Sequence, residues 1–114
     1  MTLTVFTLKT CDTCRKTRRW LDERGIAYEN VDVRADGIAR ETVERIVAEV
    51  GPGKAVNKRS TTWRNLGHKG DVDADHAVDL IMGEPTLMKR PVFLTDDAVM
   101  VGFDEEVKAT LTDR

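Results

Sequence analysis

Thr10-Cys11-Asp12-Thr13-Cys14-Arg15-Lys16 joins an apolar, β-rich run (Leu3, Val5, Phe6, Leu8) to a helical pattern that ends at Arg24. Both cysteines therefore fall at a strand-to-helix turn. A thiol in the first turn of a helix meets N–H groups the helix itself does not use, and the positive end of the helix dipole. Both stabilise the thiolate and lower the thiol pKa. Arg15, Lys16, Arg18 and Arg19 add positive potential nearby. Because the thiolate is the attacking form, Cys11 reads as a nucleophile and Cys14, about one helical turn on, as a thiol able to close a disulfide behind it. The stretch has the makings of a redox or oxyanion site.

Two plainer readings compete. A zinc site needs a full set of nitrogen and sulfur ligands, and outside the pair the chain offers only His68 and His76, so no metal is expected. Two inert core cysteines are the other reading, but Asp12 and the basic run argue for partial exposure, where reactive thiols are found.

The 114 residues, 40% hydrophobic and 33% charged, suit a single domain over 1–114 with its own core. Met1 to Leu8 lacks the length and basic flank of a secretory signal, and no apolar run approaches the roughly 20 residues of a membrane span. A cytoplasmic location with no membrane contact is expected, where a reducing thiol pool favours a catalytic or sensing cysteine pair over a permanent disulfide. The formal net charge of -2 and the lack of a basic tail give no footprint for direct nucleic-acid binding.

In order, Thr2 to Leu8 suits a strand at the centre of a sheet. Thr17, Trp20 and Leu21 recur at helical spacing as core candidates, and Gly25 supplies a stop. Ile26 to Val33 reads as a second strand, parallel to the first through a right-handed helical crossover. Val43, Ile46, Val47 and Val50 mark one helix face, with Glu41 and Glu44 towards its N-terminal end and Gly51-Pro52-Gly53 ending it. Asn57 to Asn65 is polar and aperiodic, a loop with short helical turns. Asp73 can cap a helix through Ala74, Val78, Ile81 and Met82, which Gly83 and Pro85 close. Pro91 to Leu94 and Val99 to Phe103 read as strands across the Asp96-Asp97 turn, followed by an amphipathic stretch from Glu105 to Leu111.

The resulting order, β-α-β-α, a helical insertion over about 38–88, then β-β-α, predicts an α/β fold of thioredoxin or glutaredoxin type, with a four-stranded mixed sheet and flanking helices. Four blocks sharpen this: Cys11-Asp12-Thr13-Cys14-Arg15-Lys16, Asn57-Lys58-Arg59-Ser60-Thr61-Thr62-Trp63-Arg64, Leu87-Met88-Lys89-Arg90-Pro91-Val92 and Val101-Gly102-Phe103. Over essentially its whole length the chain resembles the ArsC/Spx/YffB group of arsenate-reductase-like proteins. The Thr-Thr-Trp-Arg segment and the Gly-Phe ending are most similar to the YffB branch.

The resemblance implies roles residue by residue. Cys11 matches the nucleophile and Arg15 an arginine just behind it, while Arg59 and Arg90 match two arginines that reach the site to hold an anion. A guanidinium fork suits that work by offering rigid paired donors, although an ordinary surface ion pair is the plainer reading of Arg59 and Arg90. Pro91 matches a proline held cis opposite the cysteine. Gly102 replaces a third arginine of arsenate reductases, Thr7 a histidine, and Cys14 a serine, the last change also being found in the Spx branch. Weak arsenate binding and an internal resolving thiol are expected. Three functions follow in order: a thiol-disulfide oxidoreductase, with glutathione as cosubstrate and no tightly bound cofactor; an arsenate reductase fed by glutathione, glutaredoxin or thioredoxin; and an Spx-like, redox-switched regulator that binds RNA polymerase. For the last, Gly51 falls where Spx-like proteins carry a glycine tied to the polymerase contact, but the longer basic Spx tail is missing after Arg114. A monomer is expected.

Overall fold

The computed structural model describes residues 3–57, 63 and 72–112. Arg59, with most of the Asn57–Asn65 loop and His68, lies outside them; Trp63 is buried.

The chain divides into two units, residues 1–32 with 90–114, and residues 33–89. In the first, β1 (Thr4–Thr7), β2 (Glu29–Asp32), β3 (Val92–Leu94) and β4 (Val99–Val101) form one sheet in the order β2-β1-β3-β4. β1 is central, as expected, parallel to β2 and antiparallel to β3, and β3–β4 is an antiparallel hairpin. The sheet is therefore the expected four-stranded mixed one. β2 is shorter than the stretch Ile26 to Val33 that its sequence suggests. It pairs on one side only, and its residues are half-buried or exposed, so little beyond the ladder to β1 extends it.

α1 (Asp12–Glu23) follows β1 directly, and Gly25, at φ 66°, provides the left-handed residue that ends it. Leu21 of α1 joins Leu3, just before β1, Val5 and Phe93 from the sheet, and Val107 and Leu111 of the last helix (Glu105–Thr112), in one buried cluster. Val5 and Phe93 are register partners and so share a sheet face. Trp20, expected in the core, sits at its edge instead. Its ring packs edge-on against Phe103 with centroids 5.6 Å apart, and Arg24 lies 4.7 Å from its centroid.

The second unit corresponds to the expected helical insertion. It contains α2 (Arg40–Val50), a short helix α3 (Pro52–Ala55), α4 (Ala74–Gly83) and a 3-10 turn at Pro85–Leu87; the last helix of the first unit is α5. Gly51 ends α2, as expected, but Pro52 then opens α3 in the first-turn position that proline tolerates. Asp73 caps α4 by accepting from the His76 N–H at 2.8 Å. α2 packs on α4, and an isolated bridge pairs Val56 with Met88.

Candidate active site

The strand-to-helix turn is tight. The Cys11 N–H donates to the Leu8 carbonyl at 2.9 Å, and the Arg15 N–H to the Cys11 carbonyl at 3.1 Å, so Cys11 occupies the N-cap of α1. A side-chain oxygen of Asp32, at the end of β2, accepts from the Lys9 N–H at 2.8 Å and ties the approach to the turn. Cys11 is partly exposed, whereas Cys14 is only 1% exposed.

That difference separates the two thiols electrostatically. Burial works against a Cys11 thiolate, but hydrogen bonds from the Cys14 side chain and backbone N–H outweigh it, helped by the charge of Arg90 and a hydrogen bond from it, so the pKa falls below 9.0. The arrangement favours the ionised form specifically. Cys14 is pushed up to about 12, first by burial and further by its Cys11 neighbour, against a backbone hydrogen bond from Leu8 and the Arg90 charge.

Arg90 therefore acts on both thiols, and its Nε is shut off from solvent. The Arg90–Pro91 peptide is cis, the isomer expected of that proline. The Pro91 carbonyl accepts the Gly102 N–H at 2.8 Å, which sets Gly102 beside the Arg90–Pro91 turn.

Arg15 stands apart from this group. Its guanidinium pairs with the Asp12 carboxylate one turn back, and both side chains are open to solvent, at 60% and 79% exposure. The sequence reading took Asp12 only as a sign of exposure and not as the partner of Arg15, although an acid three residues before an arginine on a helix announces such a pair. Thr7, in place of the family histidine, is buried and donates to Asn30 Oδ1 at 2.7 Å, a bond between neighbouring strands. Among the described residues no group of histidine, cysteine and acidic side chains is placed to hold a metal ion, and no helix is long and apolar enough to cross a membrane.

The same architecture recurs in known proteins. The structure of the YffB protein superposes with a TM-score of 0.89 at 37% identity, covering 97% of this chain and 99% of that one. An arsenate reductase (ArsC) related protein from Brucella melitensis gives 0.76 at 34% identity, covering 96% and 93%. The global transcriptional regulator Spx of Staphylococcus epidermidis is 30% identical over 109 residues, 91% of this chain and 82% of its own. A model of the ArsC family matches residues 6–111, and the chain belongs to that family.

Proposed function

We propose that this ArsC-family chain is a thiol-disulfide oxidoreductase that uses glutathione, with Cys11 as nucleophile and Cys14 as resolving thiol. The observation that carries this reading is the split between an accessible, ionisation-prone Cys11 and a buried Cys14 held protonated. The Cys11 thiolate attacks a glutathione mixed disulfide. A Cys11–glutathione bond forms, and the partner leaves as a thiolate that takes up a proton. An ionised Cys11 is one reason, after burial, that Cys14 keeps its proton, and capping Cys11 with glutathione removes that reason. Cys14 sulfur then attacks Cys11 sulfur, its proton passes to the departing glutathione, and a Cys11–Cys14 disulfide remains. Two further glutathione thiols reduce it and leave as oxidised glutathione. Arg59 and Arg90 are proposed to hold the carboxylates of the peptide, for which a guanidinium fork is suited.

Intact-protein mass spectrometry after treatment with oxidised glutathione tests the assignment. Cys14→Ser should accumulate the adduct on Cys11, the wild type should pass on to the internal disulfide, and Cys11→Ser should form neither. An adduct on Cys14 in the wild type would overturn it. Arsenate turnover with the same donor should be weak, because Gly102 offers no third guanidinium. The Spx relative supports a regulatory alternative, yet Gly51 does not add to it: at φ 90° it ends α2, a task that itself calls for glycine.

A further inference from the structure

We propose that the Asp12–Arg15 pair sets the charge preference of the Cys11 mouth, turning the site away from compact oxyanions and towards disulfides whose charges lie several bonds from the reacting sulfur. The inference rests on Cys11 being the attacking thiol.

The pair sits in the first turn of α1, one and four residues after Cys11, with both side chains solvent-exposed. An arginine there would attract any anion approaching the thiolate. Asp12 cancels that attraction. The cancellation does not require a strong bond: exposed ion pairs contribute little to stability and open readily, but open or closed the two groups sum to zero charge beside the same sulfur. Arg90 still faces the thiolate, so the pair withholds only what Arg15 would add; an oxyanion, which carries its negative charge on the atoms the thiolate must approach, feels that loss most. A disulfide presents neutral sulfur and reacts without that penalty. At roughly 7 Å in water-like surroundings one unit charge is worth about RT, a factor of about 3 in rate.

Alkylation of Cys11 by iodoacetate and by iodoacetamide isolates this factor. Both reagents form the same S–CH2 bond and release iodide, but only iodoacetate is anionic, so the ratio of their rates cancels any change in thiolate fraction. At low salt Asp12→Asn should raise the iodoacetate-to-iodoacetamide ratio about 3-fold and Arg15→Gln should lower it by a similar factor. The double variant should return to the wild-type ratio, since the two positions again sum to zero charge. All differences should shrink in 0.5 M salt, where screening is short-ranged. Equal ratios in all four proteins, with peptide mapping placing the label on Cys11, would overturn the charge role and leave the nucleophile standing. Label on Cys14 instead would overturn both.

Discussion

Cys11 and Cys14 differ by three positions in sequence and by a change of sign in how the fold treats their charge. Burial pushes both thiols up, and only Cys11 has enough donors facing it to reverse the effect. The rate of Cys11 alkylation by a neutral reagent should therefore rise with pH through a midpoint below 9.0. Arg90→Gln removes one source of thiolate stabilisation and Cys14→Ala the side-chain donor, so each should move the midpoint up, and the two together further, while the backbone N–H of residue 14 stays in place. A midpoint unmoved in Arg90→Gln would remove Arg90 from the site. Cys14 gives the opposite signature in stability. Its folded pKa lies above that of the unfolded chain, so its contribution is complete below about pH 9 and is lost as pH rises towards 12. Cys14→Ala should flatten the alkaline fall of the urea midpoint over that window.

The two capped helices make a contrast at the level of the element. α4 begins at an aspartate that accepts a backbone N–H, the usual stabilising arrangement. α1 begins instead at Cys11, whose sulfur is a weak acceptor beside a carboxylate or hydroxyl. Asp73→Ala should cost about 1 kcal/mol, and Cys11→Ser should gain about 0.5 kcal/mol while abolishing thiol chemistry. Urea denaturation of both variants measures this, and a Cys11→Ser protein less stable than the wild type would show that the thiol contributes to holding the helix. A strained or poorly capped residue at the point of chemistry is a familiar exchange of stability for function.

Across the whole molecule, the elements written in strong periodicity were legible from sequence: β1 at the centre, α1 with its glycine stop, the capped α4 and the closing hairpin. Those that depend on what a segment pairs with were less so. Nothing in Ile26 to Val33 announces that only Glu29–Asp32 joins the ladder, because an edge strand is limited by the partner it lacks. Trp20 reads as core by spacing alone, yet two cations, Arg24 over its own ring and Lys108 over the neighbouring Phe103, accompany its half-exposed position. At the site, the different settings of the two cysteines were legible from helix electrostatics, whereas Arg90 and Pro91 lie far along the chain and only resemblance pointed to them. The helical unit has buried residues of its own, among them Val43, Ile46, Val47, Val78 and Ile81. Ile46, fully buried in α2, should cost about 2–5 kcal/mol as Ile46→Ala. Hydrogen exchange should show the loss of protection in α2 and α4, whose packing it supports; unchanged exchange there would refute that role.

Gly102 combines a φ of 90° with open space around the position a side chain would take. A Cβ would meet nothing there; the obstacle is the backbone, since an L-residue rarely adopts that angle. A third guanidinium here is thus a matter of backbone shape and not of side chain alone. An arsenate pocket built on this chain therefore calls for a different bend after β4 as well as a new side chain.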